Sequence, residues 1–466
     1  MLIVYHSKRN IGSLLRLTRQ LSKFIPRKMD PNVKVRENPV VAKLTEEEYK
    51  PILTEDLVDL LDLFKKYQYE IRLAGGPVRD LLMKKIPTDI DLATTATPVQ
   101  MKEMFTMEDV RMVNTNGEKH GTITPRINNA TNFEVTTLRI DVATDGRHAE
   151  VEFTKDWQLD ANRRDLTINS MFMSLEDGSI YDYFYGYEDL QKRRVAFVGS
   201  AETRIKEDYL RILRYFRFYG RIADEAENHE EKTLNAIKEN IQGLERISGE
   251  RIWQELKKIL TGRFKYDLMK TLIDCGASKF IGLPETPNIL EFQRICKAAE
   301  SSTAPWNAAT LLSALIWTPE DAIKLHERLK FSAFERDLIF YITQNRENTR
   351  NINDIRHFQK MCFQTVGRIS EMRSFIEQLL IYHNKMKLYK ILSTWEIPRF
   401  PISGLHLKEH GCSQGKVMGH VMNALKEIWA QEGFKSTSED LLKHLPTVLE
   451  KVKGNKSPPA AKKQRL

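Results

Sequence analysis

Asp89-Ile90-Asp91 is the segment of this 466-residue chain best suited to chemistry. On an extended strand, residues two apart face the same side, so both carboxylates would project together while Ile90 turns toward a core. Two adjacent anions repel unless a cation sits between them, and oxygen ligands at this spacing suit a hard ion, Mg²⁺ above all. A DxD alone is most often a solvated turn, so its surroundings decide. Upstream lies Ala74-Gly75-Gly76-Pro77-Val78-Arg79-Asp80, directly after an apolar run ending at Leu73. Gly75 and Gly76 allow a backbone to approach an anion closely. Arg79 adds a charge that cannot be titrated away. No GxxxxGK[ST] occurs, so this is not a P-loop. Glu134, between core-pointing Phe133 and Val135, is the candidate for a third carboxylate from a neighbouring strand.

Two further clusters carry arginines. Arg163-Arg164-Asp165, with Asn169 a turn later, reads as a helix start with Asp165 as its cap. The helix dipole disfavours cations there, so the pair asks for an external anion, phosphate being the natural one. The segment from Glu207 to Arg217 reads as part of one helix. At about 100° per residue, Asp208, Arg211 and Arg214 share a face, Arg217 drifts further round, and Leu210, Leu213 and Phe216 form the apolar side. The plain reading of Asp208 and Arg211 is an i,i+3 surface salt bridge worth a few tenths of a kcal/mol. Three arginines beside one acid nevertheless leave positive charge over.

The elements that must position these residues change character once along the chain. Ile71–Leu73, Ile90–Leu92, Gly121–Ile127, Asn132–Ile140, Ile180–Tyr183 and Val195–Val198 read as strands. Thr97-Pro98 starts a helix running to Phe105. After Ala201, helical periodicity dominates: Arg204–Ile222, Glu230–Asn240, Gly249–Leu260 and onward to Leu449. A mixed α/β head therefore precedes an all-helical remainder.

Composition narrows the class. Hydrophobic residues make up 41% and charged residues 29%, an ordinary globular balance. The most apolar stretch, Ala304 to Trp317, is too short and too polar to span a bilayer, and no membrane is expected as a partner. Four cysteines without a CxxC argue against a disulfide scaffold or a structural zinc site. The net charge of +9 belongs to the tails. Residues 1–29 carry seven Lys/Arg and no acid and residues 451–466 carry six and no acid, which leaves 30–450 slightly acidic. The Arg-rich, acid-free N-terminus, with Leu14, Leu15, Leu17 and Leu21, suits a mitochondrial transit peptide. Met29 offers an alternative start that would leave the protein in cytoplasm and nucleus. The C-terminal tail reads as disordered and basic.

In this order and spacing the motifs are highly specific. GGPVRDLL, PTDIDLATTATP, GEKHGTIT, FEVTTLRIDVATDGRHAEVEFT, RRDLTINSMF, YGYEDL and EDYLRILRYFRF resemble the class II tRNA nucleotidyltransferases, the CCA-adding enzymes, in their animal form. The resemblance runs from about Ile71 to Leu260. Ile402-Ser403-Gly404-Leu405 with Gly411, Gly415 and Gly419 is similar, less specifically, to the family's tail segment. Pro77 departs from the pattern, leaving no backbone N–H there for phosphate.

The resemblance implies an α+β fold, with a polymerase-beta-like nucleotidyltransferase head on a small mixed sheet and then an all-α neck, body and tail. The boundaries expected are 1–29 transit peptide, 30–198 head, 199–262 neck, 263–400 body, 401–450 tRNA-binding tail and 451–466 basic tail. It implies template-independent addition of C, C and A to tRNA from CTP and ATP by a two-metal mechanism, by a monomer or homodimer. Asp89 and Asp91 would hold Mg²⁺, with Glu134 beside them. Gly75, Gly76, Arg79, Arg164, Asp165, Arg214 and Arg217 would contact the incoming nucleotide. Asp145-Gly146-Arg147 matches the family's flexible loop, which repositions the site between C and A addition. Asp208 and Arg211 would read the base, and hydrogen-bond chemistry agrees. Cytosine and adenine both present an amine donor beside a ring-nitrogen acceptor, whereas uracil and guanine present the reverse. A carboxylate only accepts and a guanidinium only donates. A poly(A) polymerase, the rival within the superfamily, would accept ATP only; the DGR segment and short tail favour CCA addition.

Overall fold

Short β-rich runs between Val40 and Tyr181 build the sheets of the head. The computed structural model describes residues 33–113, 117–144, 149–363, 368–412 and 415–454. Its strands are β1 (Val40–Lys43), β2 (Ile71–Ala74), β3 (Asp91–Thr94), β4 (Arg111–Met112), β5 (Thr122–Ile123) and β6 (Pro125–Ile127). They continue with β7 (Thr131–Asn132), β8 (Glu134–Thr137), β9 (Arg139–Thr144), β10 (Ala149–Phe153), β11 (Phe172–Met173) and β12 (Ser179–Tyr181). Seven strands form one mixed sheet in the order β1-β12-β11-β2-β3-β8-β5. Its parallel pair is β3 with β8, in the register Asp91↔Glu134, and β2 lies antiparallel on the other side of β3.

The sheet departs from the sequence expectation at its short pieces. Gly121–Ile127 is not one strand: β5 joins the main sheet and β6 pairs with β4 and β7 in a separate one. Val195–Val198 forms no strand beyond the single bridge Leu166↔Phe197. Its backbone instead meets the irregular segment at Asp165 and Thr167 (Val198 N–H to Asp165 O, 3.0 Å; Thr167 N–H to Ala196 O, 3.0 Å). The helix Pro98–Met107 starts as expected, with Thr97 and Gln100 closing a reciprocal capping box. Beneath the sheet, Ala74, Ala93, Leu138, Trp157, Phe172 and Phe184 form a buried cluster. Trp157 and Phe172 meet edge to face at 4.9 Å.

The chain divides into two compact units. The first contains the head and the helices up to Thr286, with Glu327–Lys330 added; the second contains Pro287–His326 and the chain from Phe331 onward. In the first unit, helices Ala201–Glu207, Leu210–Ile222, Glu231–Asn240 and Gly249–Leu260 follow the head. The second unit is helical among its described residues, around a core that includes Phe358, Leu380, Leu425 and Trp429. All four cysteines are buried, and no disulfide joins them. No described helix is long and apolar enough to cross a membrane.

Candidate active site

Asp91 opens β3, directly opposite Glu134, which opens β8. Asp89 lies just before the strand, so the two aspartates do not share one regular strand as expected. Both nevertheless line the same cleft. Asp91 is reached by solvent from that cleft yet is crowded by protein. This desolvation, then Glu134, then Asp89, pushes its carboxyl above the usual range, with Arg164 opposing. A divalent cation would relieve that repulsion, and the all-oxygen donors suit one. Among the described residues no three His, Cys, Asp or Glu groups converge into a metal cage, and Glu134 adds negative charge beside Asp91.

The glycine turn follows β2. Gly75 adopts φ +70°, and its N–H donates to Met171 O at 2.8 Å. A Cβ there would come within 2.8 Å of Arg164 Nη1 and 2.9 Å of Asn169 O, so glycine is required on both counts. Helix Gly76–Leu82 begins at once. On it, buried Arg79 donates to Asn169 Oδ1 and to Asp80 Oδ1, the latter from Nη2 at 2.9 Å. The other Asp80 oxygen accepts from Arg221 at 2.7 Å.

The Arg163-Arg164 pair stands at a helix end, not a helix start. Helix Trp157–Asn162 is capped by Asp156, and Arg163 is its C-cap. Cations are favoured there by the dipole, and both arginines pair with buried Asp160 (2.8 and 3.1 Å). Their placement thus demands no external anion, although Arg164 still lines the cleft. Asp165 caps no α-helix. One oxygen accepts from Leu166 N–H at 2.8 Å and the other from Arg214 Nε at 2.6 Å. Burial alone would raise its carboxyl, but the charge and hydrogen bond of Arg214 outweigh it and hold the group down at about 2.

The expected helix through Glu207–Arg217 is broken. Ala201–Glu207 ends, Asp208 is extended (φ −150°, ψ 107°), and Leu210–Ile222 begins. Aspartate competes with the helix backbone and prefers helix starts, and Asp208 Oδ1 indeed accepts from Leu210 N–H at 3.1 Å. Asp208 does not pair with Arg211. Its other oxygen takes Arg251 at 2.8 Å, while Arg211 binds Glu207 at 2.6 Å and Arg163 O at 2.9 Å. Asp208 and Arg211 both face the cleft. Further along the second helix, Arg214 takes Asp165, Arg217 takes Glu255 at 3.1 Å, and Arg221 takes Asp80. Burial drives the Arg217 guanidinium down to about 10 despite Glu255. Sequence reasoning missed Arg251 and Glu255. Their one signal is a polar i,i+4 pair set among Ile252, Trp253, Leu256 and Ile259 on the amphipathic helix Gly249–Leu260.

Asp89, Asp91, the glycine turn with Arg79, Arg164 with Asp165, and Asp208 with Arg211, Arg214 and Arg217 line a cleft of about 1080 Å³ within the first unit; Glu134 is not part of its lining. Asp145, Gly146 and Arg147 lie outside the described residues. The sequence matches the family described as "Poly A polymerase head domain" over residues 71–196, and "Probable RNA and SrmB- binding site of polymerase A" over 229–289. It is 48% identical over 405 residues to CCA tRNA nucleotidyltransferase 1, mitochondrial, of Danio rerio, covering 86% of this chain and 93% of that protein. The Homo sapiens protein of the same name is 47% identical over 407 residues, covering 86% and 92%. The chain belongs to the CCA-adding tRNA nucleotidyltransferases. Solved CCA-adding enzymes share its fold: one from Bacillus stearothermophilus in complex with CTP has a TM-score of 0.67 at 22% identity, covering 88% of this chain and 100% of that one. A Thermotoga maritima enzyme complexed with tRNA has a TM-score of 0.61 at 18% identity, with the same coverage. Nucleotidyltransferases of this type use a divalent metal, which fits the carboxylate floor at Asp89 and Asp91.

Proposed function

We propose that this nucleotidyltransferase adds C, C and A to the 3′ end of tRNA, from CTP and ATP, without a nucleic-acid template. The tRNA 3′-hydroxyl gives up its proton to solvent as its oxygen bonds to the α-phosphorus, the bond from that phosphorus to the bridging oxygen breaks, and pyrophosphate leaves with the electron pair. Asp89 and Asp91 would hold Mg²⁺, which when bound would stabilise the attacking and leaving oxygens. The backbone at Gly75 and Gly76, with Arg79, Arg164, Arg214 and Arg217, takes the triphosphate and ribose, and Asp165 aims Arg214. Asp208 accepts from the exocyclic amine of cytosine or adenine, and Arg211 donates to the ring nitrogen. Uracil and guanine would set acceptor against acceptor and donor against donor. One observation carries the reading: the carboxylates at Asp89 and Asp91 and the base-reading pair at Asp208 and Arg211 line one cleft.

The division into head 30–198, neck 199–262, body 263–400 and tail 401–450 goes with this reading, as does a role for Asp145-Gly146-Arg147 in switching from C to A. The relatives named mitochondrial support a mitochondrial destination for the form beginning at Met1. The form beginning at Met29 serves cytoplasm and nucleus. Incubating the protein with a tRNA lacking its 3′ CCA, with each NTP alone and then with CTP plus ATP, tests the activity. Two residues from CTP alone and a completed CCA from the mixture are expected. Incorporation from ATP alone into a growing tail would instead identify a poly(A) polymerase.

A further inference from the structure

The base-reading pair is held from two sides. Arg211 is anchored by what precedes it, donating to Arg204 O at 3.1 Å, to Glu207 and to Arg163 O. Asp208 has one oxygen on Leu210 N–H and the other on Arg251, the third residue of helix Gly249–Leu260. The dipole disfavours a cation in the first turn of a helix, and the carboxylate of Asp208 offsets that cost for Arg251. The spacing between the acceptor and the donor of the pair therefore depends on where this helix starts.

The start is fixed by a short segment from later in the chain. Glu327–Lys330 belongs to the first unit, although the residues on either side of it belong to the second. Within it, the Arg328 guanidinium serves three main-chain oxygens. Nη2 donates to Leu244 O at 2.8 Å and to Ile247 O at 3.1 Å, and Nε donates to Phe280 O at 2.8 Å. Leu244 and Phe280 lie in the last turns of the short helices Ile241–Arg246 and Ser278–Ile281, where terminal carbonyls need donors. Capping of helix ends does not account for Ile247. Its carbonyl stands just ahead of Ser248, the N-cap of helix Gly249–Leu260, so this contact fixes the entry of that helix. The backbone of the segment closes on the same turn. A Cβ on Gly249 would collide with Arg328 O and lie 2.9 Å from Leu329 C, so only glycine admits the approach.

We infer that Arg328 is a positioning residue for base selection: it sets the entry of helix Gly249–Leu260 and, through Arg251, the direction of the Asp208 carboxylate. Arg328 itself is not part of the cleft lining, so it acts without touching the nucleotide. Its loss bears on the four nucleotides unequally. Cytosine and adenine give an amine to Asp208 and lose that bond when the carboxylate turns away, whereas uracil and guanine never make it.

The inference rests on the base-reading role proposed for Asp208 and Arg211, and its test separates the two. The full chain carrying Arg328→Gln is assayed for kcat/KM with all four NTPs on a tRNA ending before its CCA, well below its thermal midpoint. A misplacement of about 1 Å can cost about a hundredfold, so the CTP-to-UTP and ATP-to-GTP ratios should fall about tenfold when the anchorage is partly lost. KM for tRNA should hold. Arg328→Lys, which keeps the charge but not the fork, should recover part of the ratios, and it carries the comparison by itself if Arg328→Gln does not fold. In the second unit, Arg373→Gln likewise takes a guanidinium from two main-chain carbonyls, those of Ser393 and Trp395. It should lower the midpoint without moving the ratios. Adding Arg328→Gln to Asp208→Asn should lower the ratios no further than Asp208→Asn alone, because both changes act through one carboxylate. Additive losses would overturn the inference, as would a lowered midpoint with unchanged ratios, or an equal fall in Arg373→Gln. Unchanged ratios in Asp208→Asn itself would instead remove the base-reading role, and this inference with it, while leaving the CCA-adding activity standing.

Discussion

Replacing Asp208 with asparagine separates base reading from structure. Asparagine still offers an oxygen to Leu210 N–H, so the hydrogen bond at the start of helix Leu210–Ile222 is kept. The change removes the ion pair with Arg251, whose side chains are 25% and 38% exposed, so stability should fall by no more than about 1 kcal/mol. Specificity should change far more. The amide can turn its NH₂ toward a base carbonyl, which the carboxylate cannot, so the penalty that excludes uracil and guanine at this edge is relieved. An unsatisfied buried group costs about 1–3 kcal/mol, so the CTP-to-UTP and ATP-to-GTP ratios of kcat/KM should fall by roughly 5- to 150-fold. Arg211, still held by Glu207, would keep part of the discrimination. The assay is kcat/KM for all four NTPs on a tRNA ending before its CCA, alongside thermal unfolding. Unchanged ratios with a slightly lowered midpoint would leave Asp208 as a hydrogen-bond partner of Leu210 and ion-pair partner of Arg251 and refute its role as reader.

Asp89→Ala and Asp91→Ala should each abolish C and A incorporation while tRNA affinity, measured by filter binding, stays within a few-fold, because tRNA is held largely through phosphates and shape. Gly75→Ala should cost about 1–3 kcal/mol of stability and most of the activity, since positive φ and the approach of Asn169 O both oppose a Cβ; urea titration reads the first and incorporation the second. The Asp165 pKa is depressed in the folded state, so its stabilisation is fully present above the ordinary carboxylate value of about 4 and fades as pH falls toward about 2. Asp165→Asn should therefore be clearly less stable than wild type at pH 7, with the gap narrowing between those values in denaturant titrations run across pH.

The chemistry was legible where it depended on residue type within a short span. The carboxylates before and on β3, the glycine turn after β2 and the Thr97-Pro98 helix start all stand close to where their local signals put them. What the sequence hid depends on distant partners. The apolar spacing of Leu210, Leu213 and Phe216 runs smoothly back through Asp208, so periodicity could not report the break; that follows from one aspartate preferring Leu210 N–H to a helical turn. Arg163 and Arg164 looked like a helix start because Asp156, the true cap of the preceding helix, was not recognised. Asp160, Glu255 and Arg251 carry no motif that assigns them partners. Glu255 and Arg251 acquire their roles only when the chain folds back across tens of residues, to Arg217 and Asp208.

The arginines of the cleft have one more consequence, for ionic strength. Three of them have a carboxylate within salt-bridge distance: Arg211 with Glu207, Arg214 with Asp165, Arg217 with Glu255. A nucleotide arriving there displaces a resident anion instead of meeting bare charge. Such an exchange between near-equal charges at short range responds weakly to added salt. Lys258 and Arg263 line the same cleft but are exposed, and mobile ions compete directly with any polyanion that meets them. Salt should therefore weaken whatever Lys258 and Arg263 hold well before it disturbs the paired arginines, Arg211 among them, so that a nucleotide bound loosely in concentrated buffer is still the right one.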